Sequence, residues 1–254
     1  MNLIRSLLFA LFFYPGTVVA VLAGFVAIAL DRTVLVDATY RWARYHRWCA
    51  RVLLGVETRV EGTLPKGAAL VAAKHQSMFE TIDFLLLLDR PAVVLKRELA
   101  DLPGWGAIAR QYGVIPVDRA GGAAALRRML AAAKAAVAAG RPILIFPEGT
   151  RAPVGAPADY KPGIAALYRD LDSPCTPMAT NSGVHWPAHG FRRYPGTVVY
   201  EFLPAIPAGL KRAEFMSQLE ERIEGASGAL LGLPTTAASP TPVRAPGPVP
   251  TPQS

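Results

Sequence analysis

Ala68-Ala-Leu-Val-Ala-Ala-Lys-His-Gln-Ser-Met-Phe-Glu80 joins an apolar, strand-like run to a helical pattern that continues through Phe84, Leu85 and Leu88, with a histidine at the junction. His75 therefore falls at the carboxyl end of a strand, where open α/β sheets gather their catalytic groups. A neutral imidazole accepts a proton from an alcohol only when its other ring nitrogen donates to something. Glu80, on the first turn of the next helix, is spaced to fix that tautomer. The same residues, Ser77-x-x-Glu80, also match a capping box, in which the glutamate reaches back to the N-cap amide and does nothing chemical. On this segment alone the two readings are balanced.

Outward from it, strands alternate with helices. Strands are expected at Val56–Glu61, Leu70–Ala73, Ala92–Leu95, Val114–Val117, Ile143–Phe146, Thr176–Ala179 and Thr197–Phe202. Helices are expected at Thr81–Leu88, Trp105–Tyr112, Ala123–Ala139, Ile164–Leu171 and from Arg212 to about Glu224. This alternation predicts an α/β fold, a mostly parallel twisted sheet flanked by helices, over residues 56–232. Residues 233–254, where proline, threonine, alanine and serine dominate, are expected to form a disordered tail.

The amino-terminal part differs in kind. No residue from Ser6 to Leu30 is charged, and a straight helix of that length is roughly 37 Å long, enough for a bilayer core. Residues 1–31 are thus expected to be membrane-embedded, and Pro15-Gly16 leaves open a kinked span or two short re-entrant helices. The run exceeds the usual apolar core of a signal peptide, about 7 to 15 residues. Arg32, Arg41, Arg44, Arg47 and Arg51 follow it, which favours the cytoplasmic face of the inner cell membrane for the rest of the chain. Residues 32–55 read as a basic amphipathic helix capped by Asp37, lying on an anionic lipid surface with Trp48 near the interface. The 254 residues carry a net charge of +8 without a recognised nucleic-acid motif, so phosphate-bearing lipids or an acidic carrier are the expected partners, not nucleic acid. Two cysteines, Cys49 and Cys175, make no disulfide framework.

Three further segments end at positions like that of His75. Gly113-Val-Ile-Pro-Val-Asp-Arg119 closes one strand with an arginine. Phe146-Pro-Glu-Gly-Thr-Arg151 closes another with a carboxylate, a glycine, a hydroxyl and an arginine, and Thr176-Pro-Met-Ala179 is a strand with a proline inside it. Glycine lets backbone N–H groups approach an anion, and arginine offers a fork for phosphate oxygens.

These four blocks, in this order, resemble the glycerolipid acyltransferase family, and within it the 1-acyl-sn-glycerol-3-phosphate acyltransferases most. The resemblance spans about Val56 to Leu203 and carries one departure, Glu80 where the family's His-x4-Asp motif has aspartate. It implies that His75 is the general base and Glu80 its orienting acid. It implies that Lys96 and Arg119 meet the acceptor phosphate and that Glu148, Gly149, Thr150 and Arg151 shape the acceptor site. The block with Pro177 is similar to the family's acyl-donor motif. Asp83 is a fallback orienter, though a solvated helix position fits it better. The implied reaction acylates the 2-hydroxyl of 1-acyl-sn-glycerol 3-phosphate from acyl-CoA or acyl-carrier protein, giving phosphatidate, with no cofactor and no metal. The alternative within the class is another lyso-lipid, such as lyso-ornithine lipid, or glycerol 3-phosphate. Outside it stand a hydrolase and a non-catalytic lipid-binding module.

Two other patterns carry little. Gly104-Trp-Gly-Ala-Ile-Ala109 approximates a dinucleotide fingerprint but follows no strand end, and Pro187 separates His185 from His189, against a helical zinc pair.

Overall fold

Strand β2, Leu70–Ala73, is buried at every position because each face of its sheet is covered. Val71 and Ala73 join one core and Leu70 and Ala72 the other, the period-two alternation of a pleated strand. This is a computed structural model, and it describes residues 1–232; the tail expected over 233–254 lies outside them.

The chain runs α1 (Asn2–Leu30), α2 (Arg32–Cys49), a π-helical turn (Ala50–Leu54), β1 (Val56–Gly62), β2, α3 (Met78–Leu87), β3 (Ala92–Lys96), α4 (Arg97–Ala100) and α5 (Trp105–Tyr112). It continues through β4 (Ile115–Val117), α6 (Gly122–Ala138), β5 (Ile143–Ile145), α7 (Gly163–Leu171), β6 (Cys175–Thr180), α8 (Ser182–His185), β7 (Gly196–Phe202) and α9 (Arg212–Leu230). The strands form one seven-stranded sheet in the order β1-β7-β6-β2-β5-β3-β4. All neighbours are parallel except β6 and β7, so the mostly parallel sheet expected from the sequence is present. Because β3 and β6 lie on opposite sides of the β2–β5 pair, the chain changes direction there. Crevices for ligands open beyond the carboxyl ends of such strands.

One core holds the aromatic residues of α1, α2 and α3 against the sheet, and the other lies under α6, α7 and α9. Helix α1 is long and apolar enough to cross a membrane and continues through Pro15 unbroken, in place of two short re-entrant helices. Much of it is exposed, including Leu7, Leu11, Val18, Leu22 and Val26. Its inner side packs on α2, and Gly16 makes this possible: a Cβ there would lie 2.4 Å from the Tyr45 ring. Trp42 Nε1 donates to Thr17 Oγ1 at 3.1 Å, and the Tyr45 hydroxyl donates to the Phe12 carbonyl at 2.7 Å.

Helix α2 starts six residues before the expected Asp37. Asp31, directly after α1, accepts the Thr33 N–H at 2.6 Å and is the N-cap. The arginine stripe also divides. Arg41, Arg44 and Arg51 stay exposed beside an exposed Trp48, whereas Arg47 turns inward to Asp83, Nε to Oδ1 2.7 Å. Asp83 is fully buried, so its expected status as a solvated helix residue is wrong. Burial pushes its carboxyl up, with Arg47 opposing.

His46, one position from Arg47, is enclosed by Phe9, Phe13, Phe79 and Trp186, and neither of its ring nitrogens has a partner. An unpaired buried donor costs about 1–3 kcal/mol. Burial, seconded by the Arg47 charge, lowers the pKa of His46 to about 3. The unfolded chain binds that proton near pH 6.5. Below that pH the unfolded state gains a proton the folded state refuses, so this residue subtracts stability as pH falls toward about 3. His46→Leu is therefore expected to flatten the acid limb of the stability curve and to raise Tm at about pH 5. Thermal melts across the limb check this, and an unchanged pH slope would contradict it.

Candidate active site

Alternation along β2 continues past its end. Lys74 points to the α9 side of the sheet and meets Glu224, while His75 points to the other and stacks on Phe146, ring centroids 4.1 Å apart. The backbone of His75 is held on both sides by the segment after β5. Its N–H donates to Glu148 Oε2 at 2.9 Å, and its carbonyl accepts the Ala152 N–H at 2.8 Å. Only the torsions of the ring remain free, and Glu80 restrains those.

His75 Nδ1 lies 3.0 Å from Glu80 Oε1. That same oxygen accepts the backbone N–H groups of Gln76 at 2.8 Å and Ser77 at 2.7 Å, while Oε2 takes the Ser77 hydroxyl. Ser77 caps α3 by accepting the Phe79 N–H at 3.0 Å. Capping and orienting, posed by the sequence as alternatives, are thus performed by one carboxylate. The longer arm of glutamate folds back over the first turn, so the amides and the imidazole converge on one oxygen. Glu80 is fully buried, which by itself would raise its pKa. The hydrogen bonds from His75 and Ser77 outweigh that and keep the carboxyl below its usual value. With Nδ1 donating to a carboxylate, Nε2 carries the lone pair, the tautomer of a proton acceptor.

His75 borders a cleft of about 830 Å³ that also takes in Lys96, Arg119, Gly149, Thr150 and Arg151. All six were expected in the site, and the sheet brings them together. Arg119 donates to the Gly149 carbonyl. Gly149 is in the left-handed region, φ +67°, and a Cβ there would sit 2.6 Å from the Arg119 guanidinium. This glycine admits the arginine and itself lines the cleft.

Glu148 departs from expectation. It is buried outside the cleft, with Oε1 taken by the Lys74 ammonium at 2.7 Å and Oε2 by the His75 N–H. Burial pushes its carboxyl up, with Lys74 and the His75 amide opposing. Asp83 is spent on Arg47 and does not orient His75. Pro177, expected in the donor motif, is buried within β6 and does not line the cleft.

Other members escaped the sequence. Lys161, Arg169 and Arg212 line the same cleft, brought there by α7 and α9. Lys161 pairs with Asp159, and Asp118 with Arg97. This leaves Lys96, Arg119, Arg151, Arg169 and Arg212 without ion pairs among the described residues. Gln76, buried, accepts the Gly183 N–H at 3.0 Å and ties the histidine loop to the segment after β6. Lys74 was the one legible signal, a charge directly after four apolar residues. Among the described residues no group of three or more His, Cys, Asp or Glu side chains is placed to hold a metal, and His185 faces the Pro195 carbonyl at 3.2 Å. Both cysteines are buried and their thiols pushed up in pKa by burial, so neither is an activated nucleophile.

Residues 55–181 match the family model described as Acyltransferase. The 1-acyl-sn-glycerol-3-phosphate acyltransferase of Pseudomonas aeruginosa is 33% identical over 185 residues, 72% of each chain. The 1-acyl-sn-glycerol-3-phosphate acyltransferase alpha of Mus musculus is 27% identical over 78% of this chain and 71% of its own length. The crystal structure of the 1-acyl-sn-glycerophosphate acyltransferase of Thermotoga maritima shares the fold, with a TM-score of 0.74 over 91% of this chain and 98% of that one at 23% identity.

Glu80→Gln separates the two duties of this carboxylate. The amide oxygen still accepts the Gln76 and Ser77 N–H groups, so Tm is expected to stay within a few degrees. The lost charge no longer supports an imidazolium, so kcat is expected to fall about 100-fold. Paired melts and steady-state kinetics test this, and full turnover in Glu80→Gln would reduce the glutamate to a cap.

Proposed function

Because this chain belongs to the acyltransferase family, we propose that it transfers an acyl chain from a thioester to the 2-hydroxyl of 1-acyl-sn-glycerol 3-phosphate, giving phosphatidate. His75 Nε2 takes the hydroxyl proton as the oxygen attacks the thioester carbonyl. The C–O bond forms, the C–S bond breaks, and the proton passes to the departing sulfur. Glu80 stabilises the imidazolium between these steps. The transfer is direct and needs neither an acyl-enzyme nor a cofactor.

One observation carries the reading: a carboxylate-anchored imidazole whose free nitrogen borders a cleft with Lys96, Arg119 and Arg151 unpaired by any carboxylate among the described residues. Unneutralised cations beside a proton acceptor suit an acceptor that carries both a phosphate and a hydroxyl. Thr150 and the Gly149 backbone complete that wall. Acyl-CoA and acyl-carrier protein are both anionic thioesters and suit the same basic surface.

Helix α1 would sit in the bilayer, with Arg41, Arg44 and Arg51 toward anionic headgroups and Trp48 at the interface, on the cytoplasmic face. A lyso-lipid acceptor then enters the cleft from the membrane in which it dissolves.

Purified protein supplied with acyl thioester and lysophosphatidate is expected to form phosphatidate, and an acceptor panel including lyso-ornithine lipid and glycerol 3-phosphate tests the acceptor. Thioester hydrolysis at full rate without acceptor would sink the transferase reading. His75→Ala is expected to lower kcat at least about 100-fold with the fold intact. Arg119→Ala and Arg151→Ala are each expected to raise KM for lysophosphatidate about tenfold, as loss of a charge-assisted hydrogen bond does.

A further inference from the structure

Behind the histidine lies a buried ion cluster that the reaction itself does not use. The Lys74 ammonium, on a residue only 3% exposed, donates to Glu148 Oε1 at 2.7 Å and to both oxygens of Glu224 at 2.9 Å. The Tyr160 hydroxyl donates to Glu224 Oε1 at 2.8 Å. Glu148 passes the connection on, since its second oxygen accepts the His75 N–H at 2.9 Å. An unbroken series of charge-assisted bonds thus runs from α9 through β2 to the backbone of the base.

Well-packed apolar side chains fill such a volume at no greater free energy, because desolvating Lys74 and Glu148 offsets most of their attraction, while Glu224 keeps partial contact with solvent. A buried cluster of this kind fixes geometry more than it adds stability. Its directional bonds hold the end of β2, the segment after β5 and α9 in one arrangement, and that segment carries Gly149, Thr150 and Arg151. From this we infer that Lys74, Glu148 and Glu224 are positioning residues, and that α9 sets where the His75 imidazole stands relative to the acceptor hydroxyl. The inference rests on the reading of His75 as the general base. Neither Glu148 nor Glu224 lines the cleft, so their effect travels through His75 and not through contact with substrate.

Glu224→Gln is the informative variant, since Lys74 keeps Glu148 and no buried charge is stranded. Glu221→Gln, exposed on the same helix, controls for the lost charge. Two readouts are combined. In steady-state kinetics, Glu224→Gln is expected to lower kcat about tenfold while KM for lysophosphatidate stays within about twofold, the signature of a displaced base. In detergent-solubilised full-length protein labelled with 15N-histidine, four backbone amide signals are expected from the four histidines. The one lost in His75→Ala is assigned to His75. In Glu224→Gln that signal should shift and exchange with deuterium about tenfold faster, as expected when a restraining bond network loosens. Glu221→Gln should change neither readout.

A His75 amide unmoved in Glu224→Gln overturns the proposal. So does a kcat within about twofold of the wild type, or a loss confined to KM. A wild-type enzyme that ignores lysophosphatidate overturns the acceptor assignment alone. The kinetic split is then read on the lyso-lipid it accepts, and the amide signal reports on the cluster without any acceptor.

Discussion

Glu80 Oε1 accepts from two backbone amides at the start of α3 and from the imidazole of His75, inside a core that excludes water. A carboxylate desolvated to this degree is tolerable only when its oxygens are filled with donors. Those donors are the unpaired N–H groups that any helix start presents. Helix initiation, the charge state of Glu80 and the tautomer of His75 therefore depend on one another. The rest of the site is built around this point, with the segment after β5 holding the histidine backbone and Phe146 lying against its ring.

Three carboxylates near His75 are kept apart in function by what surrounds them. Glu80 gathers amides, a hydroxyl and the imidazole and stays below the usual carboxyl pKa. Glu148 and Asp83 are pushed up by burial and depend on single cations, Lys74 and Arg47. Similar burial thus yields one orienting group and two structural ion pairs. The cleft inverts this balance, since Lys96, Arg119, Arg151, Arg169 and Arg212 there have no carboxylate partner among the described residues.

The amino-terminal helices belong to the same physical unit as the sheet. Phe9 and Phe13 of α1 reach the buried His46 of α2, which touches Phe79, the residue before Glu80. The apolar helix that suits a bilayer is thereby packed within one aromatic contact of the turn that carries Glu80. Its outer face is left exposed, and its inner face closes the core under α3.

The sequence by itself determined the alternation of strands and helices, the apolar amino-terminal helix and the placement of His75, Arg119 and Arg151 at strand ends. These follow from local periodicity and from residue chemistry at turns. Ranges such as 70–73 and 105–112 emerge unchanged because their signals are complete within a few residues. What needed the tertiary structure was every question of partner. Whether Glu148 faces substrate or Lys74, and whether Asp83 and Arg47 meet solvent or each other, depend on residues 36 to 150 positions apart in the chain, while Glu80 has its partners within five residues and only its burial and rotamer decide that it meets all of them. Helix α2 takes Asp31 and not Asp37 as its N-cap because α1 ends at Leu30 and Asp31 directly meets the Thr33 N–H. Periodicity reports which face a side chain occupies, but only the folded sheet decides what waits there to bond with it.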